Sequence, residues 1–169
     1  FHEIMHVIGR NYYGHCMSRG AIGCNLSHLS GLEDAYNSGY NTIWVMEDDI
    51  EIIRNPHILS ELIAKLDATV GKSRWDILYT DRDTKNSNGE YVPCSAYAPR
   101  PDYIPKKPTR FSKKSQVGKD FRKIGARYGT YSMIVRRSGM KKILDYFKRY
   151  QIFLPYDMEL FQPNNVEVY

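Results

Sequence analysis

The sequence predicts a single α/β domain, and three observations carry that reading. Twice, apolar residues at helical spacing run into a β-branched, aromatic stretch: Ile22, Leu26, Leu29, Leu32 and Tyr36 precede Thr42–Met46, and Leu59, Leu62, Ile63, Leu66 and Val70 precede Trp75–Thr80. Both stretches end in carboxylates, Glu47-Asp48-Asp49 and Asp81-Arg82-Asp83. The chain has 169 residues, 42% hydrophobic and 25% charged, which suits one domain with its own core.

In order, Ile4-Met5-His6-Val7-Ile8, closed by Gly9, reads as a short strand. A glycine-punctuated segment, Arg19 to Cys24, then enters a helix of about five turns that Ser38-Gly39 ends, because glycine suits the left-handed position after a helix. Thr42–Met46 is a buried strand, and Ile50–Ile53 continues as a short one. Asn55-Pro56 signals the second helix, with Asn as cap and Pro at the first helical position, and Gly71 stops it. Asn88-Gly89 is a hairpin-turn dipeptide. From Tyr97 to Gly125 regular pattern fades into a long basic loop, with Pro99, Pro101, Pro105 and Pro108 among many lysines and arginines. Tyr131–Val135 is a strand. Ser138 caps a helix to about Tyr150, with Met140, Ile143, Leu144 and Phe147 inward, and Ile152–Pro155 leads into Tyr156–Leu160. There is no internal repeat and no second domain.

Charge and cysteine usage narrow the function classes. A net charge of +5 and a pI near 9.0 suit an anionic partner: a nucleotide, a phosphorylated lipid, a membrane surface or nucleic acid. Nucleic acid is disfavoured, because no helix-turn-helix, zinc or RNA-recognition signature is present. The basic loop from Lys106 to Arg127 is either a solvated face or a contact for a diphosphate, an anionic acceptor or a membrane on which the protein is peripheral. Cys16, Cys24 and Cys94 form no CxxC pair, and the odd count favours reduced structural thiols. The histidines show no i,i+4 pair, which argues against a histidine zinc site. No apolar stretch approaches the roughly 18 residues that span a bilayer. The start, Phe1-His2-Glu3, carries neither Met nor a signal-peptide pattern.

The triplet Glu47-Asp48-Asp49 is the most informative feature. Three adjacent carboxylates at a strand end repel one another, and a divalent cation with oxygen ligands relieves them; the competing reading is an acidic turn in water. In open α/β sheets ligands bind just beyond the C-terminal ends of strands, which favours the cation. Asp81 and Asp83 form a D-x-D at the second tip. They rank behind the triplet as metal ligands, with an acceptor-side role or a plain turn as alternatives.

Several stretches together resemble glycosyltransferase family 25, the bacterial lipopolysaccharide sugar transferases and collagen hydroxylysine galactosyltransferases. They are Gly20-Ala21-Ile22-Gly23-Cys24-Asn25-Leu26-Ser27-His28; Val45-Met46-Glu47-Asp48-Asp49-Ile50; the Trp75–Tyr79 strand; and a closing pattern of Tyr128-Gly129-Thr130-Tyr131, Gly139-Met140-Lys141-Lys142-Ile143-Leu144 and Leu154-Pro155-Tyr156-Asp157. Order and spacing match over roughly residues 20–161. The resemblance implies a GT-A-like fold with a mixed, mostly parallel sheet flanked by helices. It implies a nucleotide-sugar donor, commonly a UDP-sugar, with Mn²⁺ or Mg²⁺, and inversion at the anomeric carbon. It also implies a leading nucleotide-pocket strand before Phe1, so the chain reads as N-terminally truncated. Bacterial-type members act at the cytoplasmic face of the membrane and collagen-type members in the endoplasmic reticulum lumen; the unpaired thiols favour the cytoplasm.

Within that chemistry, Asp49 is the first metal ligand and Glu47 the second, since i and i+2 of a strand share a face. Asp48 is placed to accept from a ribose or sugar hydroxyl. His28 is either a satisfied half-buried histidine or a donor contact. An inverting attack needs a base opposite the diphosphate; Asp157 leads, against a helix-capping role, and Glu159 is second. The Asn25-Leu26-Ser27 sequon lies on the predicted first helix and is discounted. A non-catalytic remnant of the fold, binding a sugar or a partner, is the competing class.

Overall fold

Ser18 sets the first helix: its Oγ accepts the Ala21 amide at 3.1 Å, and α1 runs Arg19–Asn37. The computed structural model describes residues 17–83, 85–92, 94, 99–100 and 102–169; the strand predicted at Ile4–Ile8 and Cys16 lie outside them. Leu32 and Ala35 are buried in α1, with Ile22, Leu29 and Tyr36 packed beside them, whereas Leu26 of the predicted stripe is exposed. Gly39, at φ +82°, turns the chain into β1, Thr42–Met46.

The second helix, α2, spans Ile58–Val70, two residues later than Asn55-Pro56 suggests. Asn55 Oδ1 accepts the His57 amide at 3.0 Å and so organises the turn before the helix instead of capping it. The segment predicted as a strand at Ile50–Ile53 is irregular, with Ile52 and Ile53 exposed. The Glu47 amide takes Tyr131 O just past β1, and Gly129, at φ +77°, bends the partner chain away, which leaves no ladder for residues 50–53.

After β2 (Ile77–Tyr79), Asn86 organises the expected turn: its Oδ1 accepts the Asn88 and Glu90 amides, and Lys85 bridges Tyr91. The basic segment is not one long loop. It folds a hairpin, β3 (Lys114–Val117) and β4 (Phe121–Ile124), turning at Gly118 with φ +59°. Then come β5 (Ser132–Arg136), α3 (Arg137–Tyr150) and α4 (Tyr156–Glu159). Ser138 lies inside α3 and does not cap it; its hydroxyl bonds Asp76 Oδ1 at 2.7 Å. Buried Asp76 also accepts from Lys142 Nζ and the Glu167 amide, which fastens α3 and the C-terminal segment to the start of β2.

The sheet corrects the expectation of mostly parallel pairing. Its order is β1–β5–β2, and β5 runs antiparallel to both neighbours, with Met46 opposite Ser132 and Tyr79 opposite Met133. β1 and β2 still point the same way, as a helical crossover requires. They stand one strand apart, and β5 fills the gap from the opposite end. The parallel contact among the described residues is the single bridge Ile77–Val168; Val168 also bridges Ile124, so the last residues join the central sheet to the hairpin.

Side chains alternate across β5. Met133 and Val135 meet α1 and α3 in one core, while Ile134 joins Leu66, Trp75, Leu78 and Phe121 beside α2 in the other. Helices therefore cover both sheet faces, and the architecture is mixed α/β. Among the described residues, no helix is long and apolar enough to cross a membrane.

Candidate functional site

Because β1 and β2 run in the same direction, both acidic tips arrive at one sheet edge, on either side of the start of β5. Ser132 ties the tips together: its Oγ accepts from Trp44 Nε1 at 2.9 Å and contacts Thr80 Oγ1 at 2.5 Å. The two tips then meet different surroundings.

Glu47 follows Ile43 and Val45 toward α1. Its Oε1 lies 3.2 Å from His28 Nε2 and accepts from Thr130 Oγ1 at 3.0 Å. His28 is nearly buried and stacks on Tyr156, with ring centroids 4.3 Å apart and planes 6° from parallel. It is thus a satisfied, oriented histidine that touches the acidic tip. Cys24, one turn earlier on α1, completes a group whose ligand atoms lie within 4.8 Å of one another. Burial raises the Cys24 thiol pKa first, and the charges of Glu47 and Asp157 raise it further, which brings Asp157 into the same neighbourhood. A cleft of about 590 Å³ opens here, lined by Cys24, His28, Tyr40, Trp44, Glu47 and Asp48.

Asp157 does not cap α4. Pro155 O takes the Met158 and Glu159 amides, while Asp157 Oδ2 accepts the Gly129 amide at 3.0 Å. The turn 128–130 therefore supplies support to both carboxylates, Gly129 to Asp157 and Thr130 to Glu47. Asp48 and Asp49 stand exposed in a turn beyond Met46, so the shared-face argument for Glu47 and Asp49 does not apply: the strand stops before reaching them.

Asp81 and Asp83 are already neutralised. Asp81 Oδ2 accepts from Arg127 Nη2 at 2.5 Å, and the buried guanidinium lies 4.3 Å from the Tyr79 ring centroid. Burial raises the Asp81 pKa, and Arg127 opposes that rise. Asp83 accepts from Lys114 Nζ at 2.5 Å and Arg122 at 3.4 Å, both from the hairpin. Lys114, Arg122 and Arg127 of the basic segment thus pair inward. Glu159, completely buried, pairs with Arg100 and accepts the Phe153 amide at 2.9 Å; burial pushes its pKa up to about 7. It belongs to the packing of α3 and α4 and is removed from the cleft. Asn25 is fully buried with its amide donating to Ala21 O and Leu154 O, so its sequon is closed to modification.

The structure thus brings Glu47, His28 and Asp157 together with Cys24, Thr130 and Gly129, which the sequence reading did not single out as site residues. The i,i+4 spacing of Cys24 and His28 was the available signal for the first; the supports at 129–130 depend on a contact across the fold.

A family model described as glycosyltransferase family 25 (LPS biosynthesis protein) matches residues 1–160. The chain is 33% identical over 79 residues to a mouse protein named inactive glycosyltransferase 25 family member 3, covering 47% of this chain and 13% of that protein. It is 33% identical over 82 residues to a bovine protein named probable inactive glycosyltransferase 25 family member 3, covering 48% and 13%. The human protein named inactive glycosyltransferase 25 family member 3 is 32% identical over 79 residues, covering 47% and 13%. No solved structure matches the chain. With the family's motifs in order along the chain and its model spanning nearly all of it, the protein belongs to glycosyltransferase family 25.

Proposed function

We propose that this protein is a metal-assisted, inverting glycosyltransferase of GT-A-like design. It moves a sugar from a nucleotide-sugar, a UDP-sugar in the first instance, to a hydroxyl of a glycan, lipopolysaccharide or hydroxylysine acceptor. The observation that carries this reading is that one turn, 128–130, holds both Glu47, which lines the cleft, and Asp157.

The residues at the end of β1 fit a hard divalent cation. Glu47, Asp48 and Asp49 are consecutive oxygen donors, two of them exposed, and among the described residues no cation pairs with Asp48 or Asp49, in contrast to Asp81 and Asp83. Glu47 and Asp49 would hold Mn²⁺ or Mg²⁺, which when bound supplies Lewis-acid neutralisation of the leaving diphosphate. Asp48 is free to accept from a donor hydroxyl. His28 and Thr130 fix the Glu47 carboxylate, so its orientation is set before a donor arrives. Asp157, anchored through Oδ2 to the Gly129 amide, presents its other oxygen as the base that takes the acceptor hydroxyl's proton, a role typically contributing ~10²–10⁴-fold. Asp81, paired with Arg127, is placed on the acceptor side, lining a second cleft of about 410 Å³ with Trp44, Thr80 and Ser132. Exposed lysines of the hairpin suit an anionic membrane surface, on which the protein would sit peripherally, at the cytoplasmic face for a bacterial-type member.

The names of the mammalian relatives favour a second reading, a non-catalytic module that binds a sugar or a partner through the same cleft. One experiment separates the two. UDP-, GDP- and CMP-sugars are tested with and without Mn²⁺ by thermal shift and by release of nucleotide diphosphate. The enzyme reading expects a manganese-dependent shift that Asp49→Ala abolishes, and turnover that Asp157→Asn lowers at least ~100-fold while the shift persists. A shift without turnover for any donor and acceptor establishes the binding module; a shift indifferent to Asp49→Ala refutes the metal assignment.

A further inference from the structure

The cleft contains a ligand set that the oxygen-only edge does not explain. Cys24 and His28 lie four residues apart on α1 and face the same side. Glu47 reaches them from the end of β1, and the three ligand atoms fall within 4.8 Å of one another. Sulfur, imidazole nitrogen and carboxylate oxygen form a mixed set. Thiolate and imidazole favour zinc-class ions over manganese or magnesium, which prefer oxygen alone.

We propose that Cys24 Sγ, His28 Nε2 and the Glu47 carboxylate form a three-ligand site for a borderline-soft divalent cation of the zinc class. Its supports are already in place. The Tyr156 ring stacks on His28 and fixes its plane, and Thr130 Oγ1 holds the Glu47 carboxylate; such outer contacts orient metal ligands. Cys24 and Glu47 are half-buried, His28 is nearly buried, and all three line the cleft of about 590 Å³, so an ion has a route in and a fourth position open toward the cleft. On binding, the Cys24 thiol loses its proton to solvent, the sulfur–metal bond forms, and the hydrogen bond between His28 and Glu47 is replaced by coordination. No electron is transferred.

The site shares Glu47 with the manganese edge. Zinc there takes away a manganese ligand, so the two ions compete; that consequence rests on the glycosyltransferase reading, whereas the site itself does not. A zinc-filled cleft would be a held-off state of the enzyme.

Cobalt(II) reports the site directly. The full chain, kept reduced with a phosphine and free of metal, is titrated with Co²⁺ while near-ultraviolet thiolate-to-cobalt absorption and visible tetrahedral bands are followed. One equivalent should raise both, and stoichiometric Zn²⁺ should bleach them. Cys24→Ser should remove the near-ultraviolet band and weaken Zn²⁺ affinity at least ~10-fold, with folding checked by circular dichroism. His28→Gln should shift the visible bands and weaken binding, and it serves if the serine variant does not fold. Cys16→Ser and Asp49→Ala should keep both bands. A near-ultraviolet band that survives Cys24→Ser, one that is lost in Cys16→Ser, or no band at one equivalent overturns the proposal. Because Asp49→Ala should retain cobalt binding and lose the manganese-dependent donor shift, failure of the zinc site and failure of the transferase reading are told apart.

Discussion

Replacing Arg127 with Met tests whether the second acidic tip depends on one internal cation. The Arg127 side chain is 1% exposed and its partner Asp81 18% exposed. The substitution keeps much of the volume but removes the charge, the bond to Asp81, the bond to Arg82 O and the stacking on Tyr79. Removing one member of a buried pair typically costs about 3–5 kcal/mol, because the other is left charged and unpaired. Asp81 keeps some contact with water, which places the loss near about 3 kcal/mol, and at about 2–4 °C per kcal/mol for a chain of this size Tm should fall by about 6–12 °C. The effect depends on pH. Burial already raises the folded pKa of Asp81 above its unfolded value, so its contribution is complete in acid and is lost as pH rises through the folded pKa. Without Arg127 the folded value climbs further. The gap between variant and parent should therefore open as pH rises from about 4 toward neutrality and close again in acid. Melting followed by circular dichroism across that range reads it, and Asp81→Asn in the Arg127→Met background should restore part of the lost stability. A Tm loss of less than about 2 °C, or a gap that does not change with pH, would show that the pair is not what holds this tip.

Two further predictions concern the packing behind the site. A Cβ at Gly125 would stand 1.7 Å from Arg110 O, a backbone atom in the turn that leads into the hairpin, so Gly125→Ala should cost about 3 kcal/mol or more and lower the urea midpoint. Glu159 has its pKa raised to about 7, so the stability it contributes is complete below the ordinary Glu range and disappears as pH passes about 7. Parent Tm should decline between about pH 5 and 8, and Glu159→Gln should flatten that decline; an equally steep decline in the variant would assign it to other groups.

Local signals in the sequence located most elements. Apolar spacing placed α1, α2 and α3, and β-branched runs placed β1, β2 and β5, because each amphipathic pattern matches a single buried face. What the sequence did not reveal was pairing across the fold. Nothing near Ser132 announces that β5 enters between β1 and β2 from the opposite end, and the lysine-rich hairpin was obscured because its strands are half-exposed. The carboxylates divided on the same grounds. Glu47 and Asp157 were recognisable as charged residues at the right boundaries, yet the contacts that hold them come from Thr130, His28 and Gly129, up to 83 positions away in sequence. Asp81 and Asp83 carried the same local signal and proved to be paired by Arg127, Lys114 and Arg122, partners that spacing does not disclose.

The central position of β5 has a consequence for the order of events during synthesis. On a ribosome, β1 and β2 emerge long before the strand that must lie between them, so neither can join the central sheet until Ser132–Arg136 has left the exit tunnel. Until then the Trp44 and Leu78 faces stay uncovered and both carboxylate tips remain apart. Nascent chains stalled before β5 should be chaperone-bound and protease-sensitive throughout, and resistance should arise in one step once that strand is free.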